Sequence, residues 1–344
     1  MARNAHDYRL YRQIQSQGDE VERILAAPLP VEAAAETVRS ANCVHAVGTG
    51  TSSNAARTAC YLFRAAGVNA VEWAAHDFVS YGPPLGPQDA VLVYSHSGKK
   101  QYSRQSIERS LGAGAPTIWI AGTDAPPIEA TLTLQTVPRE TSAAFTVSHT
   151  TAMALTARIA DAISPGAVGD LAVLPGAVQR AIDLEPEAAE LARAWQGFGA
   201  MVAIGAGPHE ASAHEVAIKV NEAARLRARG YAAEQFLHGP QAQMQPGDPM
   251  LVFASPGEGL ARTQVVAGFG LDIEAPVAWI APVEAPQGAT WIRVPDPGEL
   301  LAPIVEIIPA QWLACHLAAL EDVDADNFRL DDEPFKRAFE RYEL

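Results

Sequence analysis

The chain has 344 residues, room for about two domains of ordinary size. Hydrophobic residues make up 48% and charged residues 19%, a balance that excludes a disordered chain. The formal net charge of -15 sets the surface against nucleic acid and anionic membranes as partners, although backbone amides and one or two cations can still hold a small phosphorylated ligand.

After a polar start without an apolar signal-peptide core, residues 8–26 read as an amphipathic helix. Short apolar, β-branched runs then recur at α/β spacing, at 44–47, 70–73, 90–94, 117–121 and 131–135. A second series lies at 201–204, 250–253, 277–281 and 291–294. Alanine-rich, helix-compatible segments such as 54–65 and 103–111 separate them. Continuous apolar strands alternating with helices predict an α/β fold whose parallel sheet is covered on both faces. No apolar run approaches the roughly 20 residues that span a bilayer, so a cytoplasmic protein is expected. Cys43, Cys60 and Cys315 sit in apolar runs without CxxC spacing and are expected to be buried free thiols.

The two series repeat one unit. Gly48-Thr-Gly50 lines up with Gly205-Ala-Gly207, the turn ending at Gly98 with the one ending at Gly257, and Thr117-Ile-Trp-Ile-Ala121 with Val277-Ala-Trp-Ile-Ala281, all at nearly one offset. That pattern predicts duplicated domains over 31–165 and 185–320, a helical segment at 1–30 and an acidic tail at 321–344. The join is expected in the proline- and glycine-rich stretch 164–184.

Two turns are suited to an anion. Gly48-Thr-Gly50-Thr51-Ser52-Ser53-Asn54 follows a strand and opens a helix, where amides, the helix start and hydroxyls combine. It is not the dinucleotide fingerprint, because Ser53 stands where GxGxxG needs a small third residue; alone it reads equally as a tight turn. Ser95-His96-Ser97-Gly98 also follows a strand and precedes a helix, at the end of the sheet where ligands of such folds bind. His96 there is either a ligand contact or a surface residue. In the second copy Pro208 and Pro256 remove amide donors at the equivalent turns, so one copy is expected to bind and the other to contribute chemistry.

Glu215, Lys219 and Glu222 stand at i, i+4 and i+7, one face of a helix, and His238 follows on a Gly239-Pro240 turn. By itself the trio reads as an exposed ion-paired stripe. With the imidazole and the hydroxyl turns, it supplies what is needed to open a sugar ring and move a proton between C1 and C2. His209 and His214 are five apart, not the four of HExxH, so no metal is expected. His45, within the first strand, is expected to be a core histidine. No G-x-S-x-G elbow occurs.

These residues resemble the sugar isomerase (SIS) domain proteins, most nearly the two-domain isomerase half of glucosamine-6-phosphate synthase (glutamine–fructose-6-phosphate transaminase) and its stand-alone relatives. The likeness rests on Gly50-Thr-Ser52, Ser95-x-Ser97-Gly98, Glu140 to Thr146, Glu215-x-x-x-Lys219-x-x-Glu222 and His238-Gly-Pro240. It implies two tandem flavodoxin-like domains and a hexose 6-phosphate as ligand, of the glucosamine or fructose type. Gly50, Thr51, Ser52, Ser95, His96, Ser97 and Thr146 would lie at the phosphate, and Glu222 would shuttle the proton. His238 would assist ring opening from the partner subunit of a homodimer, with Glu215 and Lys219 positioning these groups. No cofactor is implied. The pattern departs from the family at Lys100, where the phosphate loop usually carries threonine and where Lys100, Gln101 or Ser103 could substitute, and at Phe145, where serine is frequent. Lys336 is the only tail lysine available for the family's Schiff base. Lacking a cysteine-led domain, the chain is expected to act without glutaminase activity, as an isomerase or deaminase. The alternatives are a fructosamine-phosphate deglycase and a non-catalytic sugar-phosphate sensor.

Overall fold

In the computed structural model, which describes residues 3–342, the alternation becomes two parallel sheets. Ahead of the first lie α1 (Arg9–Gln15), α2 (Gln17–Ala26) and α3 (Val31–Arg39). The first unit runs β1 (Cys43–Gly48), α4 (Thr51–Ala65), β2 (Ala70–Ala74), α5 (Ala75–Tyr81), β3 (Asp89–Tyr94), α6 (Gln101–Gly112), β4 (Thr117–Ala121), β5 (Leu132–Gln135) and α7 (Val147–Ile163). Then come α8 (Leu174–Ile182) and α9 (Glu185–Ala194). The second unit runs β6 (Met201–Gly205), α10 (His209–Lys219), β7 (Ala228–Ala232), α11 (Ala233–Phe236), β8 (Met250–Phe253), α12 (Leu260–Asp272), β9 (Val277–Ala281), β10 (Thr290–Arg293) and α13 (Ala302–Leu320), and α14 (Glu333–Tyr342) lies in the tail.

The strand orders are β2-β1-β3-β4-β5 and β7-β6-β8-β9-β10, the same topology twice, with every pairing parallel. The two tandem α/β domains inferred from the repeat are therefore present as flavodoxin-like units. The β-branched runs form fully buried central strands because helices cover both faces. Most of the interior is one continuous cluster running from α1 through both sheets to α13, so the domains share a core.

Four local readings change. β7 has no apolar run, since Ala228-Arg-Gly-Tyr-Ala232 is an edge strand paired on one side only and partly exposed. The expected helix over 8–26 breaks at Ser16, whose hydroxyl bonds the Gln13 carbonyl at 2.9 Å, so two helices form. The stretch 164–184 is largely helical, because Pro175 falls in the first turn of α8, where its missing N–H costs nothing. Ala302–Leu320 is long and apolar enough to cross a membrane, contrary to the sequence reading; Glu306, Gln311 and His316 interrupt its run without lowering its average enough. The helix is mostly buried here, packed on α8, α9 and α10, as a core helix.

Gly48 and Gly205 end β1 and β6, and a Cβ at either would overlap backbone of the following helix, at Ser52 or His209 respectively. The duplicated turns therefore bring helix starts equally close to strand ends. Gly205→Ala should lower the unfolding free energy by about 3 kcal/mol in urea titrations. Gly86→Ala, where nothing lies within 4 Å, should change it by less than about 0.5 kcal/mol. Equal stabilities would refute the close-approach account.

Candidate functional site

Beyond the carboxyl ends of β1, β3 and β4 lies a cavity of about 730 Å³ that both hydroxyl turns help to line. Gly50, at φ 60°, precedes α4 and lets the chain reverse so that Thr51 and Ser52 open the helix over the cavity. In the second turn Gly98, at φ 62°, sits where a Cβ would strike the Trp119 ring, and Trp119 Nε1 donates to the Ser95 carbonyl at 3.0 Å. That buried indole fixes the turn from below. The hydroxyls of Ser52 and Ser95 have no hydrogen-bond partner among the described residues, and both line the cavity. Lys100 and Ser103 line it as well, whereas Gln101 does not.

The charged row comes from the other domain. Lys219 Nζ lies 2.7 Å from Glu222 Oε2 and 3.4 Å from Glu215 Oε1. Glu215 is fully buried and accepts from Thr51 Oγ1 at 3.0 Å and Asn54 Nδ2 at 2.8 Å, both on the first turn of α4. Burial pushes Glu215 toward neutrality, but Lys219 and these donors outweigh it and hold the carboxyl below its ordinary range. Burial also works against the Lys219 charge, and its two carboxylates overcome it, so it remains an ammonium. Glu222 differs, because burial raises its pKa and, with a smaller push from Glu215, outweighs the charge and hydrogen bond of Lys219 that lower it. Its side chain is 27% exposed and, with Lys219, lines the cavity. The helix does not continue regularly to Glu222; residues 220–224 form a π turn ending at Arg225 in the left-handed region. Such turns often mark functional positions and re-aim the side chains they carry.

Other expected positions fall differently. Thr146 is fully buried and commits both its amide and hydroxyl to Glu140, which caps the start of α7, so it does not face the cavity. Thr51 lines the cavity with its hydroxyl already given to Glu215. His96 is turned toward the Pro138 carbonyl at 3.3 Å and meets Phe145 edge-on at 5.8 Å, and burial holds its imidazole neutral. His238 lies outside the cavity in its own chain, with its side chain 67% exposed and paired to Glu234 at 2.8 Å. Lys336 is exposed on α14 and also off the cavity, because the tail reaches it through Asp326, Asn327, Phe328 and Leu330 instead. His45 is buried and accepts from Trp73 Nε1 at 3.1 Å. All three cysteines are free, with Cys43 only half-buried.

Sequence reasoning missed Arg9, Arg139, Ser148 and His149, which line the cavity from α1, the segment after β5 and the first turn of α7. Only the concentration of polar residues in Ser148-His149-Thr150-Thr151 hinted at them.

Comparison with known proteins bears on the fold. Residues 38–160 match the family model described as the SIS domain. The glutamine–fructose-6-phosphate aminotransferase (isomerizing) of Aeropyrum pernix is 29% identical over 345 aligned positions, covering 93% of this chain and 55% of that protein. The chain spans about half the length of the curated relatives it matches. The solved C-terminal domain of glucosamine-fructose-6-phosphate aminotransferase from Francisella tularensis superposes with a TM-score of 0.86 at 20% identity, over 93% of this chain and 98% of that one. Glucosamine-6-phosphate deaminase from Thermotoga maritima gives 0.77 at 18% identity, over 92% and 96%. The resemblance to SIS domain proteins holds, and the fold is theirs.

In the second copy the equivalent turns are bridged by an internal carboxylate. His209 stands where Ser52 stands in the first copy, and Ser255 follows β8 as His96 follows β3. His209 Nδ1 lies 2.8 Å from Glu306 Oε2, its Nε2 lies 2.8 Å from Ser255 Oγ, and Ser212 donates to Glu306 at 2.6 Å. All four side chains are buried. An internal carboxylate thus occupies the turn that in the first copy is left open. Burial alone would discharge His209, but the Glu306 charge and hydrogen bond, with Glu299 behind, raise its pKa above the ordinary 6.5. A raised folded-state pKa means the pair's contribution is complete below about pH 6.5 and is lost as pH rises through the folded value. Glu306→Gln should cost about 3 kcal/mol in urea unfolding at pH 6 and remove most of that alkaline decline. An unchanged pH profile would overturn the assignment.

Proposed function

We propose that the chain is a phosphosugar isomerase or aminosugar-phosphate deaminase acting on an amino- or keto-hexose 6-phosphate, in a cytoplasmic homodimer. The observation that carries this reading is the convergence of Glu222 and Lys219 with the Ser52 and Ser95 turns on one cavity. Hydroxyls, helix-start amides and the Lys100 ammonium suit a phosphate at that wall. Anchored there, an opened sugar can present C1 and C2 to Glu222.

Glu222 in its ionised form removes the proton from C1 of the ketose, and the electron pair moves through an enediol to the C2 oxygen. Returning the proton to C2, as the O1 hydroxyl proton passes to O2 and C1 becomes the carbonyl, gives the aldose. With an amine at C2, the aldose loses its C2 proton and regains one at C1, giving an imine that water hydrolyses to ketose and ammonia. Lys219 holds the carboxylate in place and offsets negative charge as it develops, while Glu215 keeps Lys219 charged. The raised pKa of Glu222 moves it toward the range in which one group can both accept and return a proton. In the dimer of this proposal, the exposed His238 turn of one protomer approaches the neighbouring cavity.

Glu222→Gln should lower kcat on fructose 6-phosphate or glucosamine 6-phosphate by about 10²–10⁴-fold while leaving the calorimetric Kd for fructose 6-phosphate within about threefold. Undiminished turnover would remove Glu222 from the reaction. Binding without turnover in the unaltered protein would instead favour a sensor.

A further inference from the structure

Of the 25 lysines and arginines in the chain, only Lys99, Lys100, Lys219 and Lys336 are lysines. Arginine is the ordinary cation here, yet two of the lysines, Lys100 and Lys219, stand on the cavity. Lys219 is engaged by Glu215 and Glu222, and Arg9 by Asp326 at 3.5 Å. Lys100 is exposed and forms no ion pair among the described residues. It immediately precedes α6, where a side-chain acceptor would ordinarily take up the first-turn amides. An ammonium has no acceptor, and this helix start carries no side-chain cap. One turn on, Ser103 lines the cavity at 3% exposure, as Ser95 does at 5%, and neither hydroxyl has a partner among the described residues. The other buried serines of α6 behave differently. Ser106 and Ser110 each return the hydroxyl to the carbonyl four residues back, at 2.7 Å.

We propose that Lys100 makes this wall selective for charge, so that it takes a doubly charged phosphate ester and discriminates against a singly charged ester of the same shape. This inference rests on the phosphosugar reading of the cavity. Hydroxyls and amides recognise tetrahedral oxygens, which a sulfate ester presents as well as a phosphate ester does. What separates the two is charge, because a phosphate monoester loses its second proton near about pH 6. A hydroxyl at position 100 would distinguish them weakly, whereas an ammonium gains with each unit of negative charge it meets. No carboxylate pairs with Lys100 among the described residues, so its charge is left to the ligand. Ser103, three residues on and on the same side of α6, supplies a hydroxyl that serves either ester. Arg139 is the other lining cation without an ion pair among the described residues. It comes from the segment after β5, two strands from the Ser95 turn, and provides the comparison.

The test is calorimetric binding of fructose 6-phosphate, fructose 6-sulfate and fructose at about pH 8, where the phosphate is doubly charged. The unaltered protein should bind the phosphate about 30-fold more tightly than the sulfate. Lys100→Thr should weaken the phosphate about 20-fold and the sulfate less than about threefold, so that most of the preference disappears. Retained sulfate binding doubles as evidence that this variant is folded. Ser103→Ala should weaken both esters alike, by about fivefold, and Arg139→Gln should leave their ratio within about twofold. Equal weakening of both esters by Lys100→Thr, or no weakening of either, would overturn charge selection at this residue. So would a preference lost in Arg139→Gln and kept in Lys100→Thr. If the unaltered protein binds fructose as tightly as its 6-phosphate, or binds none of the three, the phosphosugar reading fails first and this inference with it.

Discussion

The site depends on an ammonium buried between two carboxylates and anchored across the domain boundary. Lys219 alone would be expensive to desolvate, and Glu215 more so, since its side chain has no exposure. Their charges offset, and the remaining acceptor capacity of Glu215 is met by Thr51 and Asn54 of the other domain. Because a buried pair is weak evidence for stability, its significance is geometric: both partners must be in place or neither is tolerated. The first turn of α4, which follows the Gly50 turn, is thereby held against the helix that leads into the π turn of Glu222. The extra chain of the π turn then directs Glu222, the only partly exposed member, toward the cavity. One arrangement of charges thus sets both the domain contact and the chemistry.

Duplication sets two equivalent sheets side by side whose turns differ in chemistry. Both have the same strand order and the same close approach of helix to strand end. What differs is turn chemistry. The first copy places small hydroxyls at the helix start; the second places an imidazole there and supplies an internal carboxylate from α13 to meet it. A site already filled by Glu306 has no need of an external anion, and the helix bearing Glu215, Lys219 and Glu222 gains a fixed origin. In the proposed reaction, binding and proton chemistry are divided between copies of one fold.

The parts legible in the sequence are those whose signal is local. Central strands announce themselves by apolar runs because covered parallel strands need them. The hydroxyl turns and the Glu215–Lys219–Glu222 row are visible because their members lie within one turn or one helix face. β7 was not legible, since an edge strand can be built from Ala228-Arg-Gly-Tyr-Ala232 when burial does not demand otherwise. Only the folded chain shows that Glu140 accepts the Thr146 hydroxyl. His149 was hidden for a related reason: nothing in its neighbours reveals that the first turn of α7 borders a cavity whose other wall comes from the second domain.

The tail shows most clearly how long-range contacts decide a site. Asp326 accepts from the amides of Arg9 and Leu10 at 2.7 and 2.9 Å, capping α1, while Tyr8 donates to the Val323 carbonyl at 2.6 Å. The two ends of the described chain are thus clasped, and the clasp sets Phe328 and Leu330 on the cavity while α14 and Lys336 pass outside. Phe145, replacing a small polar residue of the family pattern, adds another aromatic surface to that cavity. Apolar surface here limits the water around the polar groups, which favours the neutral forms of His96 and His149 and would strengthen the hold of Lys219 and Lys100 on the phosphate of the proposed substrate. Phe145 and the tail residues on the cavity therefore act on the same electrostatics as the charged row. They leave the fold untouched and change the medium in which its chemistry takes place.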